Sequence, residues 1–157
     1  MQTGPTVPGR SCEGCTKCCE GHLSATVNVR DTVIELSPKP CVFVKIGKGC
    51  GVYEERPKDP CKDFRCHYLV DAMVPEEMKP SRSNVILTIE EAAPGVEYVR
   101  ATEAGGKLQA EYLAWLTSLY MNHSVNVNFT IDGRHYWLGD RIFTSLMVEK
   151  YGESNML

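Results

Sequence analysis

Eight cysteines lie between Cys12 and Cys66, spaced C-x2-C-x2-C-C-x21-C-x8-C-x10-C-x4-C, and the first four fall within eight residues. Two residues between cysteines is the spacing at which a loop turns back so that both sulfurs reach one metal ion, with backbone N–H groups aimed at them. The fillers suit that role: Gly14 permits a tight turn, and Lys17 is expected to offset part of the thiolate charge. Cys12, Cys15 and Cys18 thus read as three ligands from one knuckle. Cys19, adjacent to Cys18, must point another way and could serve a second site or the edge of a neighbouring cluster. Cys41, Cys50, Cys61 and Cys66 complete the set of candidate metal ligands.

A disulfide framework is the competing chemistry, since eight thiols permit 105 pairings. Eight cysteines among 157 residues fall below the fraction typical of disulfide scaffolds. The N-terminus has no apolar core of a secretory signal, and neighbouring Cys18 and Cys19 cannot both bridge within one knuckle. A redox C-x-x-C pair would require a strand and helix around the motif, whereas Cys12 follows a Pro/Gly tail.

Zinc and iron both suit the array. Zinc takes four tetrahedral ligands, so eight cysteines could divide into two closed structural sites. A [4Fe–4S] cluster also takes four thiolates, and C-x2-C-x2-C repeats the first three positions of the bacterial ferredoxin run, with Cys61 or Cys66 supplying the fourth from a distance. His22 and His67 flank the array and either could replace a cysteine as ligand, though for His67 a role beside the ligands is expected because it directly follows Cys66. Arg56 and Tyr53 present two readings: a guanidinium that offsets excess thiolate charge, or a turn fixed by Arg56-Pro57 with Tyr53 packed beneath it.

The elements that must position these thiols divide the chain in two. Residues 10–72 form the cysteine-rich region and residues 80–152 a conventional one, with a Pro-marked joint at Val74-Pro75 and Lys79-Pro80. Within the first, apolar stretches at residues 25–29, 32–34 and 41–46 are too few to order the segment, so metal is expected to supply the difference. In the second, β-branched residues over 83–90 and 96–102 predict two strands joined by Ala93-Pro94-Gly95. Leu108, Tyr112, Trp115, Leu116, Leu119 and Tyr120 recur at helical steps, predicting a helix that ends near Asn122. Val125, Val127, Phe129 and Ile131 alternate with polar residues, and Asp132-Gly133 turns the chain into residues 134–138, predicting a hairpin with one wet face. Gly139-Asp140 caps a last helix over 141–151, with Ile142 and Leu146 on one side and Phe143 and Met147 on the next. The expected class is therefore α+β: a small metal-stabilised part joined to a mixed antiparallel sheet with helices, the two packed as one unit.

Composition narrows the function. Seventeen basic against twenty acidic residues give a net charge of −3, which argues against nucleic acid as a partner. Up to Asp71 there are ten basic and nine acidic residues, and beyond it seven and eleven, so the second region is the acidic one. No run is long enough to span a membrane, and the expected location is the cytoplasm. The sequence has no nucleophile elbow, phosphate-binding loop or dinucleotide fingerprint. His123 and His135 read as surface or half-buried imidazoles, and the stripe with Trp115 as core.

Cys12-Glu13-Gly14-Cys15-Thr16-Lys17-Cys18-Cys19, followed by Pro40-Cys41, by residues 49–57 (GCGVYEERP) and by Cys61-Lys62-Asp63-Phe64-Arg65-Cys66, resembles the CxxCxxCC domain family, described as zinc- or iron-chelating. The resemblance covers about residues 12–70. One spacing differs from the family pattern: three residues, Lys58-Asp59-Pro60, rather than two separate Pro57 from the next cysteine. The resemblance implies a protein that chelates zinc or iron through its cysteines. A larger relative, a flagellin lysine methylase associated with an iron–sulfur cluster, keeps an iron–sulfur enzyme or electron carrier as the first alternative. A zinc-ribbon-like interaction module is the second, while in the main reading the acidic region is the part expected to contact a protein partner.

Overall fold

The computed structural model describes residues 4–153. Strands Ala25–Val29 (β1) and Thr32–Leu36 (β2) form an antiparallel hairpin, and Val44–Lys45 (β3) pairs with Gly49–Cys50 (β4) in a second, minimal one. Single-turn helices His67–Val70 (α1) and Pro80–Ser83 (α2) lead into a four-stranded sheet of Val85–Ala93 (β5), Val96–Glu103 (β6), Val127–Ile131 (β7) and Arg134–Leu138 (β8), in that order across the sheet. Helix Ala110–His123 (α3) joins β6 to β7, and Arg141–Tyr151 (α4) ends the described chain. The class is α+β. Among the described residues no helix is long and apolar enough to cross a membrane.

Two hairpins build the main sheet, but their seam is parallel: β6 pairs with β7 in register Val99↔Val127 to Ala101↔Phe129. The sheet is therefore mixed, its antiparallel hairpin pairing interrupted by one parallel seam that no local sequence signal marks. A parallel neighbour needs a crossover of a dozen or more residues, and α3 with its flanking loops provides it, burying Tyr112 and Leu116 against the main core.

The predicted wet face of β7 does not hold. Asn128 is fully buried, and Asn126 and Thr130 nearly so. α4 lies over the side of the sheet that carries Tyr98 and Trp137, packing Phe143 and Met147 on both. The polar side chains under this cover find partners: Asn128 donates to the Tyr136 carbonyl at 2.9 Å, and Asn126 accepts from the Asp140 N–H at 2.9 Å. The buried stripe of α4 is accordingly Phe143 and Met147, whereas Ile142 is exposed. Asp140 caps this helix, accepting from the Phe143 N–H at 2.8 Å. His135 is half-buried and stacked on Tyr151 at 3.9 Å.

The joint between the regions is part of the core. Val74, Met78, Pro80 and Ser83 are buried, and Val74 and Met78 belong to the same apolar cluster as Leu69, Leu87 and Phe129. A separate, smaller cluster of Val27, Val29, Ile34 and Leu36 sits under the β1–β2 hairpin, with Phe43, Val52, Cys41 and Cys61 packed on it. The described residues thus form one large core and two smaller clusters, one under the β1–β2 hairpin and one under α4, and the cysteines lie around the large core and the hairpin cluster.

Two stability tests follow. Met78→Ala should cost about 2–5 kcal/mol in denaturant unfolding, against less than about 0.5 kcal/mol for Met73→Ala, which is exposed. Burial opposes charge on Glu90, but the Tyr98 hydroxyl at 2.7 Å and the Arg100 guanidinium at 3.2 Å outweigh it and hold the carboxyl below its ordinary 4.5. A depressed carboxyl stabilises above its unfolded pKa and loses that contribution as pH falls through the folded value. The stability deficit of Glu90→Gln should therefore be present at pH 7 and shrink as pH falls below the ordinary carboxyl value.

Candidate metal centre

The knuckle is built from two tight turns. The Cys15 N–H donates to the Cys12 carbonyl at 2.8 Å, and Lys17–Cys19 forms a 3-10 turn closed by the Cys19 N–H on the Thr16 carbonyl at 2.8 Å. Successive side chains on such a turn diverge by about 120°, so Cys18 and Cys19 leave the backbone in different directions. Cys18 packs on the main core, which contains buried Cys66. The Cys19 carbonyl instead accepts from the Cys41 N–H at 2.9 Å, and Cys41 packs on the hairpin cluster together with Cys61.

The remaining cysteines follow this division. Cys50 ends β4 opposite Val44, whose N–H donates to the Cys41 carbonyl at 3.1 Å. The electrostatic neighbours agree: Cys18 lies within Coulombic reach of Cys66, Cys15 and Cys12, and Cys66 of Cys12 and Cys15. Cys19 lies within reach of Cys41, Cys61 and Cys50, and Cys61 of Cys41 and Cys50. Among these contacts the link between the two groups is Cys18 with its chain neighbour Cys19. The eight thiols thus gather as Cys12, Cys15, Cys18 and Cys66 on one side and Cys19, Cys41, Cys50 and Cys61 on the other. All eight are free.

Residues without any metal-ligand chemistry hold this arrangement. Arg10, just before the knuckle, donates to the carbonyls of Tyr68, Asp71 and Val74 at 2.6–2.7 Å, pairs with Glu76 at 2.7 Å and lies over the Tyr68 ring. It clasps the chain entering Cys12 to the segment leaving Cys66. Lys79 donates to the Glu13 carbonyl at 3.1 Å. Buried Thr16 donates to Glu20 at 2.6 Å and accepts from the Gly47 N–H at 2.9 Å, tying the knuckle to the β3–β4 loop. At Gly21, φ is +89°, and a Cβ would lie 2.6 Å from the Pro38 carbonyl oxygen and 2.8 Å from Lys39 backbone atoms. Only glycine lets residues 38–41 approach closely enough for the Cys19–Cys41 backbone bond. None of these anchors has a local sequence signal except Gly21, a glycine two positions after a doubled cysteine.

Burial and mutual repulsion set the thiol chemistry. Both push Cys19 up to about 11 and raise Cys18, Cys61 and Cys12. Burial, with Cys12 and Cys15 nearby, pushes Cys66 up to about 12 against backbone N–H groups of Leu69 and Tyr68 that favour the thiolate. The cations within reach are Arg65, Lys79 and Arg56 at Cys12, and Arg56 at Cys19 and Cys61. Arg56 thereby faces both groups, while its Nε donates to the Tyr53 carbonyl at 2.9 Å and its guanidinium stacks on exposed Tyr53. Lys17, expected to offset thiolate charge, pairs with Glu20 at 3.3 Å beside Gly105. His22 lies 3.9 Å from the same carboxylate, and buried His67 meets Asp71 at 3.0 Å.

Four thiols in each group are a suitable donor set for a thiophilic ion, and they are neither paired with one another nor matched by an equal number of nearby cations. The sulfurs are not drawn into a closed cage: among the described residues no group of three or more His, Cys, Asp and Glu side chains is arranged to hold a metal ion. Closing either group therefore requires side-chain movement within loops already anchored. A shallow concavity of about 350 Å³ on the outer face of α4 is lined by Arg141, Ile142, Ser145, Leu146 and Glu149, with no cysteine. No protein-family model, curated protein or solved structure matches the chain.

Arg10→Ala tests the clasp. Losing charge-assisted bonds to three carbonyls should cost about 1.5–3 kcal/mol or more, with faster proteolysis between residues 10 and 20, whereas Arg30→Ala, whose exposed side chain pairs with Glu55, should stay within about 1 kcal/mol.

Proposed function

We propose that this chain is a metal-binding protein that chelates zinc or iron through its cysteine array. The observation that carries the reading is the gathering of eight free thiols, four local and four remote in sequence, around one doubled cysteine. The resemblance of residues 12–70 to the CxxCxxCC family supports it. So does the small apolar core beneath the β1–β2 hairpin, four buried aliphatic side chains for a segment that runs from the knuckle to Cys61. A structural zinc site is worth about 10–16 kcal/mol at neutral pH, enough to order such a segment. Cys12, Cys15, Cys18 and Cys66 would hold one ion or cluster, and Cys19, Cys41, Cys50 and Cys61 are the remaining donors. The bound metal would supply neutralising charge to thiolates that burial disfavours, and Arg56 would offset part of the excess negative charge on both sides.

A second reading, an iron–sulfur protein that transfers electrons or activates a substrate, is favoured at the first group. There C-x2-C-x2-C combines with a remote fourth thiol, Cys66, as in a cluster with three local ligands and one distant one. The zinc-ribbon-like interaction module is supported by exposed Val42, Ile46 and Tyr53 beside the second group.

Anaerobic purification followed by elemental analysis and visible spectroscopy decides among these. Colourless protein with stoichiometric zinc supports the structural reading, and iron with sulfide and visible absorption the cluster. A strong chelator should then accelerate proteolysis within residues 12–66 while the sheet of residues 85–138 resists. Metal-free protein with an unchanged digestion pattern would contradict the proposal.

A further inference from the structure

The metal-binding reading leaves open how the thiols are shared, and on that reading the arrangement around Cys18 and Cys19 goes further. We propose that the chain carries two separate four-thiolate centres placed back to back across the Cys18–Cys19 peptide, one of Cys12, Cys15, Cys18 and Cys66 and the other of Cys19, Cys41, Cys50 and Cys61, with different structural duties. The first centre staples the N-terminal arm to the main core. The second closes the hairpin module onto the knuckle.

Geometry supports the division at each end. Cys18 packs on the cluster that contains Cys66, while Cys41 and Cys61 pack on the cluster beneath the β1–β2 hairpin. These two clusters share no buried residue. Within the second set, the Cys41 N–H is bonded to the Cys19 carbonyl, and Val44 links Cys41 to the strand partner Cys50. Within the first, Cys12 and Cys15 share a turn, and Arg10 fixes that turn's entry against the carbonyls of Tyr68 and Asp71, just beyond Cys66. Adjacent residues on a 3-10 turn point about 120° apart, so a single ion shared by Cys18 and Cys19 would have to undo the turn.

The sets also rest on different supports. Cys66 is 5% exposed and embedded in the core of the whole molecule. Each cysteine of the second set is half-buried, over a satellite cluster whose contact with the knuckle depends on Gly21 and on the Thr16–Gly47 bond. Disturbing the second centre should loosen residues 21–62 and leave the sheet folded. Disturbing the first should free the arm and the knuckle.

The test uses the full chain, freed of metal and titrated anaerobically with zinc and, in parallel, with iron, read by native mass spectrometry and by alkylation mapping of each cysteine. The wild-type chain should take up two equivalents, and as a competing chelator removes them, thiols should become reactive in two blocks of four with the membership given above. Cys66→Ser should halve the zinc content and expose Cys12, Cys15 and Cys18 while Cys19, Cys41, Cys50 and Cys61 stay protected. Gly21→Ala, which removes no cysteine but pushes residues 38–41 away from the knuckle, should loosen the second block alone. Protection that mixes the blocks, such as Cys18 with Cys19, or one substitution that empties the protein of zinc while it remains folded, would overturn the two-centre assignment and leave metal binding intact. A wild-type chain that takes up neither zinc nor iron and protects no thiol would overturn both. The wild-type block pattern decides the matter even where a substituted chain fails to fold.

Discussion

Thiolates packed together in partly buried loops repel one another, and the structure concentrates that problem at one peptide. Cys18 and Cys19 each face further cysteines, and burial with mutual repulsion raises both thiols above their ordinary value. Arg56, Arg65 and Lys79 are too few to balance eight sulfurs. The structure can keep the thiols protonated or admit a cation of higher charge. Metal entry would exchange protons for an ion, converting a destabilising cluster into a crosslink between distant parts of the chain.

The backbone around this point is consistent with such a crosslink. Arg10 satisfies three carbonyls from the α1 segment and the loop beyond it, holding the start of the knuckle near Cys66. Thr16 and Gly21 bring the β3–β4 loop and residues 38–41 to the other side. These contacts bring cysteines from separated parts of the sequence together without fixing their sulfurs in a final geometry. The anchors preorganise the loops, and the last step is left to side-chain rotation.

Much of the fold was legible in the sequence where one physical signal dominated. Asp132-Gly133 and the alternation around it specify the β7–β8 hairpin, and the apolar steps from Leu108 specify α3, which begins at Ala110. The misreadings arose where tertiary contacts overrode local pattern. Asn126, Asn128 and Thr130 read as solvent-facing, yet α4 covers them and the two asparagines find backbone partners. At the joint marked by Pro75 and Pro80, the burial of Val74 and Met78 in the main core has no local signal. The parallel seam between β6 and β7 has no local signature, because only the packing of α3 selects it. In the candidate site, spacing identified the thiols as possible ligands, but their grouping required the turn geometry at residues 17–19. Arg10 escaped notice because its partners lie some sixty residues away.

X-ray absorption spectroscopy at the metal edge of anaerobically isolated protein tests the central claim most directly. An all-sulfur first shell is the predicted result, with four scatterers at about 2.3 Å if the ion is zinc. A shell dominated by oxygen or nitrogen would contradict the account, as would protein isolated in its native state with no metal edge to measure.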